Sequence, residues 1–500
     1  MAATIIIEQK PEFKTLTAGQ EIIFTVSEAN IVANETRVKF IAEVYVSNEN
    51  AILVSSSTLV ATLKTTPNGA GVGIFDISSI IESYVSPDDL ATGQLSGIDT
   101  GSVSTFKSID FSDDKQFPVH IVDKFSLGNN SVRYFQVNFK IEYLSGNSVI
   151  VDDDETRGEE YFIFNGYVKN EDILQSSSAN IPALNLQAVY DKEGNFKDYI
   201  QRASTSRFLS TAPLTQYARL TDYGTVAMFN RIDPSNYSFG TAPSGTDNEI
   251  SFLEIKLYNS ANAQLGSTIT VSNNGANGGT NSGFDEVAKQ HFIFCGVFPG
   301  NLNNYSSVWS THKANVSYYT VQGKDSASNE VTDLYTISII CESEKGYEGL
   351  RLTWLNRWGA WDYYTFNKKS IRSITTNKTQ YTQLKGTWND AKYLPMGYQG
   401  GRKNFRVNAQ ERITLNTDFL TDSESEWMQD LMNSPCVYLL NKYSFDQYEA
   451  LATTSGIVNK YVEPVILTTS NFTRKTVAND KLIQYTIEVE RNKTQKTQAI

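Results

Sequence analysis

The side chains able to do chemistry in this 500-residue chain are few and widely spread. Three histidines occur, His120, His291 and His312, and no two stand at H-x-x-x-H or H-E-x-x-H spacing, so the pattern of a zinc site is missing. Cys295, Cys341 and Cys436 are an odd number with no C-x-x-C pair. That argues against a disulfide framework, and each is expected to be a small buried apolar residue. A serine hydrolase needs a base beside its nucleophile, yet no G-x-S-x-G occurs and histidine is nearly absent. Two carboxylates suffice for glycoside hydrolysis, and carboxylates are plentiful, but no pair is singled out by its surroundings. No catalytic, cofactor-binding or metal-binding residue is assigned, and the chain is read as a non-enzyme with no cofactor.

Two local runs invite a binding reading. VDDDETRGEEY places Asp152, Asp153, Asp154, Glu155, Glu159 and Glu160 close together. Carboxylate oxygens suit calcium, but the D-x-D-x-D-G order is absent, and like-charge repulsion favours a solvated loop. SNNGANGGTNSG, from Ser272 to Gly283, lacks the Lys-Ser/Thr of a phosphate loop and reads as a flexible hairpin tip.

The most concentrated signal is aromatic. LRLTWLNRWGAWDYYTF, Leu350 to Phe366, holds three of the six tryptophans. Leu350, Leu352 and Trp354 alternate with Arg351, Thr353 and Leu355, and WDYYTF resumes the extended pattern after NRWGA. Asn356 and Gly359 suit a tight reversal, so a β-hairpin is expected, with Gly359 at positive φ and Arg357 and Asp362 placed to pair across the turn. Trp354 is expected in the core. Trp361, Tyr363 and Tyr364 straddle core and surface. Trp358, in the turn without an alternating partner, is the expected exposed anchor. Three uses remain open: a core hairpin, an assembly surface centred on Trp358, Trp361 and Tyr364, or a platform for stacking sugars.

The elements that must carry these residues are mostly strands. In FQVNFKIEY, Phe135, Val137, Phe139, Ile141 and Tyr143 alternate with Gln136, Asn138, Lys140 and Glu142. VKFIAEVYV repeats the pattern through Val38, Phe40, Ala42, Val44 and Val46, as do Ile483, Tyr485, Ile487 and Val489. Such alternation marks half-buried antiparallel strands. Helices are few. Asp76 is expected to cap a helix over Ile77–Val85, with Ile77, Ile80, Ile81 and Tyr84 on one stripe. In TDSESEWMQDLM, Thr421 and Glu424 form a capping box ahead of Trp427, Met428, Leu431 and Met432, and Pro435 ends the helix.

The expected fold is mainly β: multi-domain antiparallel β-sandwiches with a C-terminal α+β module. Residues 1–168 form an N-terminal β-sandwich domain, 169–207 an irregular linker or arm, and 208–345 a second β-sandwich. Residues 346–500 form the α+β module with the aromatic hairpin. The length supports about three domains. A net charge of −12 disfavours a nucleic-acid groove. No apolar window reaches the roughly 18 residues of a membrane span. The start, MAATIIIEQKPEF, lacks the form of a secretory signal, so synthesis and assembly in the cytoplasm are expected.

Four stretches carry a resemblance: NRWGAWDYYTF, KKSIRSITT, RITLNTDFLTDSESEWMQDLMNSPCVYLL and DKLIQYTIEVE, with GVGIFDISSIIESYV near the N-terminus. They resemble structural proteins encoded in the tail and virion modules of phages infecting Bacteroidetes-like or marine bacteria. The likeness covers the first ~90 and last ~150 residues and is weak between them. It implies a non-enzymatic virion component at the tail tip, baseplate or a tail-associated ring, which forms a homo-oligomer and contacts other virion proteins. Contact with a host surface glycan is a secondary role. The rival reading is a polysaccharide-binding or depolymerising tail protein, although the repetitive rungs of a β-helix spike are missing.

Overall fold

Strand Val132–Ser145 shows how the sequence builds the first sheet. Phe135, Val137, Phe139, Ile141 and Tyr143 are all buried on one face. It lies between Thr36–Ser47 and Ser148–Tyr167, with antiparallel ladders on both sides. The computed structural model describes residues 4–11, 15–48, 58–92, 116–122, 124–128, 130–167, 204, 206–230, 250–273, 291–341, 344–384, 391–394, 400–440, 462–473, 483–492 and 495–496. Most of the expected 169–207 linker and of the glycine-rich run, from residue 274 on, lies outside them.

The chain divides into two compact units. The first comprises Met1–Ile340, Leu355–Asp362 and Ser444–Val458; the second comprises Cys341–Trp354, Tyr363–Tyr443 and Asn459–Ile500. Segments 1–168 and 208–340 therefore fall in one unit.

Within the first unit, a five-stranded sheet runs in the order Thr15–Gly19, Ser148–Tyr167, Val132–Ser145, Thr36–Ser47, Thr58–Thr65. Only its Thr15–Gly19 edge is parallel to its neighbour. A three-stranded sheet of Ile6–Gln9, Ile23–Ser27 and Val72–Asp76 shares a core with it, which makes a sandwich. Phe24 meets Phe139 and Tyr161 with ring centroids 5.8 Å apart, and Phe135 stacks on Tyr161 at 5.1 Å. Aromatic pairs at such spacing add to the gain from burying their area. A second five-stranded sheet is ordered Thr215–Ala218, Tyr335–Ile339, Tyr318–Lys324, Phe252–Tyr258, Gln264–Ser272. A three-stranded sheet places Phe292–Gly296 between Thr225–Phe229 and Phe125–Leu127, so it draws strands from both segments.

Two expectations in this unit need correction. The acidic run falls within a strand rather than a loop: Ser148–Tyr167 pairs along Val132–Ser145, with a register shift between Asp152 and Thr156. The helix expected over 77–85 spans only Ser78–Glu82. Asp76 does accept from the Ser78 N–H, at 3.0 Å, and Ile77 and Ile81 are buried, but Tyr84 lies beyond the helix end and is exposed.

The second unit is built on an eight-stranded sheet. Its order is Trp361–Phe366, Leu350–Leu355, Val437–Leu440, Val462–Leu467, Thr486–Arg491, Gly401–Asn416, Ile371–Gln383, with Gln495–Lys496 also pairing with Gly401–Asn416. The helix Asp422–Asn433 carries the expected capping box between Thr421 and Glu424 and buries Trp427, Met428 and Leu431. Trp427 packs on Trp354 at 5.1 Å between centroids. Among the described residues no helix is long and apolar enough to cross a membrane.

Candidate functional site

The aromatic hairpin forms as its residues dictate. Strands Leu350–Leu355 and Trp361–Phe366 are joined by a turn in which the Asn356 N–H donates to Ala360 O at 2.8 Å. The Asn356 side-chain oxygen accepts from the N–H groups of Trp358 and Ala360 at 2.9 and 3.1 Å. That is the Asx-type use of asparagine at a reversal. Gly359 has φ +75°, as its position in the turn required.

Its exposure differs from expectation. Trp358, expected as an exposed anchor, is 1 % exposed, and Trp361 and Tyr364 are buried as well. The turn, which belongs to the first unit, packs against backbone there. The Tyr167 N–H donates to Arg357 O at 2.9 Å, and Asn356 Nδ2 donates to Leu209 O at 2.8 Å. The ring of Trp358 then closes on Phe164, stacked at 6.4 Å. Trp361 donates from Nε1 to Asp88 O at 2.9 Å and meets His120 edge-on at 4.9 Å. In the second unit, Tyr364 packs against Phe366 and Trp427. The polar side of the first strand is buried too: Arg351 donates to Thr365 Oγ1 at 2.8 Å and lies 5.1 Å from the centroid of the Tyr363 ring. Arg357 lies over the Trp358 ring, and Asp362 accepts from Asn356 Nδ2 at 3.1 Å.

The three histidines serve separate packing environments. His120 sits against Trp361, His291 contacts the rings of Tyr134 and Phe162, and His312 closes the short helix Ser307–His312. Cys295 is buried, and burial pushes its thiol well above the ordinary value. Cys341 is exposed and Cys436 only half-buried, against the expectation that every cysteine is buried. Among the described residues no group of three or more His, Cys, Asp and Glu side chains is placed to hold a metal.

The feature available to a partner is one the sequence reading did not single out. Ile371–Gln383 and Gly401–Asn416 pair in register from Ile371↔Thr414 to Gln383↔Gly401, as a ribbon of roughly 40 Å at a strand's rise per residue. Thr486–Arg491 supports it only along Arg412–Asn416, and Gln495–Lys496 only at Asn408 and Ala409. Beyond that point its outer half has no other strand beside it among the described residues. Every residue from Ile371 to Gln380 is exposed, Ile374 at 66 %, and Phe405 on the second strand is 54 % exposed. A two-stranded hairpin alone is marginally stable in water. Here β-branched Ile371, Ile374, Thr375, Thr376 and Thr379, with Tyr381 edge-on to Phe405 at 6.5 Å, favour the extended form.

The root of the ribbon is pinned by charge. Arg491 bonds to Glu411 at 2.9 Å and Glu463 at 2.6 Å, Arg372 bonds to Glu348 at 3.0 Å and Glu411 at 3.2 Å, and Arg412 bonds to Glu490 at 2.8 Å. Partial burial alone would raise the Glu411 carboxyl, but hydrogen bonds and charge from Arg491 and Arg372 outweigh it and hold Glu411 below its ordinary value. The outer half differs: Lys378, Arg402, Lys403 and Arg406 form no ion pair among the described residues. A contiguous stretch of exposed apolar and unpaired basic side chains on a free edge is what a partner-binding strand presents.

These features define a class: a mainly β protein of several antiparallel sheets with a projecting basic ribbon. No protein-family model matches the chain, and no curated protein matches it.

Proposed function

We propose that this chain is a non-enzymatic structural protein of a tailed-phage virion, assembling in the tail or baseplate and contributing to host attachment. The observation that carries the assembly role is the ribbon Ile371–Gln383/Gly401–Asn416, which holds Ile374 and Phe405 out in solvent. Leaving such a ribbon uncovered costs apolar burial and invites strand pairing, so a chain that builds one gains from a partner that covers it. The resemblance of the two chain ends to virion structural proteins supplies the setting. Sugar stacking would need exposed coplanar rings, and the hairpin rings that suggested it are buried.

Light scattering on the purified protein and on particle-derived material tests the reading. Oligomers in at least one setting are expected. A strict monomer in both, absent from every particle, would overturn it.

A further inference from the structure

In the second five-stranded sheet of the first unit, one row of side chains crosses every strand. Its register runs Tyr217↔Ser338↔Tyr318↔Tyr258↔Gln264, from Thr215–Ala218 at one side to Gln264–Ser272 at the other. The alternate positions Leu257, Tyr319 and Ile337 are buried on the opposite face, so the row lies on the outer one.

Tyr258 and Tyr318 are half-buried and stack across their strands, with centroids 5.0 Å apart and planes 12° from parallel. That distance matches the separation of neighbouring strands, so the two rings stand upright side by side. Ser338, on the next strand, is too short to continue the stack. Tyr217, 49 % exposed, resumes the row one strand further out. The row thus leaves a slot above a half-buried serine. Two strand spacings, roughly 9.6 Å, separate the backbones of Tyr217 and Tyr318, which is room for one ring at ordinary stacking distance from each. A cross-strand tyrosine pair stabilises a sheet by itself, which accounts for Tyr258 and Tyr318. It does not account for Tyr217, an aromatic ring set in water beside a serine.

We infer that this slot binds one ring of a neutral carbohydrate, an inference that rests on the host-attachment part of the proposed function. A pyranose packs its C–H face on an aromatic ring and carries hydroxyls around its rim. Ser338 and, in the adjoining row, Thr215 and Thr336 supply hydroxyls that donate and accept. Charge selects against a nucleotide base or an acidic sugar. The two lysines on these strands are already engaged, Lys256 with Glu254 at 2.7 Å and Lys324 with Glu330 at 3.3 Å. These strands therefore have no further cation to offer a phosphate, sulfate or carboxylate.

Binding of the full chain to a glycan array tests the site. The array carries neutral hexose, deoxyhexose and N-acetylhexosamine oligosaccharides beside sialylated and sulfated ones, oligothymidylate and a polyproline peptide. Retention on at least one neutral class is expected. Tyr217→Ala and Tyr318→Ala should each weaken it by about tenfold. Tyr217→Phe should keep it. Ser338→Phe fills the slot while leaving every ring in place, and should abolish it. Phe405→Ala, on the ribbon, should change nothing, and thermal melting confirms that each variant is folded. Failure to bind any neutral sugar, or binding that survives Tyr217→Ala and Ser338→Phe, overturns the site while the virion role stands. So does a preference for acidic sugars, oligothymidylate or polyproline. Neutral-sugar binding through this row by a chain absent from every particle removes the virion role and leaves the site.

Discussion

Gly359 faces the carbonyl oxygen of Asn165 so closely that a Cβ at position 359 would lie 2.0 Å from it. No side-chain rotamer relieves a clash between a Cβ and a backbone oxygen, and φ at +75° already penalises any residue but glycine. Gly359→Ala should therefore destabilise the first unit by more than about 1 kcal/mol, and Gly359→Val by more still. Thermal melting of both variants checks it; a melting temperature within experimental scatter of wild type would contradict the close approach.

Trp354 and Trp358 should behave alike under truncation although only one sits in a strand. Both are fully buried, Trp354 on Trp427 and Trp358 on Phe164. Each change to Ala should cost roughly 3–5 kcal/mol. Denaturant unfolding of the two variants is the measurement, and near-wild-type stability of Trp358→Ala would restore it as a surface residue.

That pair also shows what the sequence carried and what it did not. Alternation at Phe135–Tyr143 identified a strand and its buried face, and at Ile483–Val489 the buried positions, of which Ile487 and Val489 lie in the strand Thr486–Arg491, because a half-buried strand writes its environment into every second residue. The capping box at Thr421 and the positive φ at Gly359 were legible for the same local reason. Burial of Trp358 depends on Phe164 and the backbone of Asn165–Tyr167, nearly two hundred positions earlier, and no local period reports that. The ribbon was missed because neither face of IRSITTNKTQYTQ carries a regular apolar stripe. Its signals were β-branched residues without alternation and a basic excess in an acidic chain.

A buried ion pair offers a sharper test of the first unit. Arg219 and Asp222 are each 2 % exposed and joined at 2.7 Å, with a second bond from Arg219 Nε at 3.0 Å and one from the Arg219 N–H at 2.8 Å. Removing one partner leaves the other charge buried, which typically costs about 3–5 kcal/mol. Asp222→Ala should fall in that range by denaturant unfolding. A loss well under 1 kcal/mol would mean that water reaches the pair.

At the ribbon root, Glu411 is held ionised by Arg491 and Arg372. Its carboxyl titrates lower in the folded chain than in the unfolded one. The stabilisation is therefore present above the ordinary carboxylate value near 4 and is lost as pH falls through the depressed one. The difference in melting temperature between wild type and Glu411→Gln should be largest near neutral pH and shrink on acidification. A difference independent of pH would rule out this electrostatic role.

Whether this chain is a part of the virion is decided by electron microscopy of purified phage particles labelled with antibody against it. Label confined to the tail or baseplate, in a symmetric set of copies, is the expected result. Particles that carry no label, from a host in which the chain is plainly produced, would contradict it.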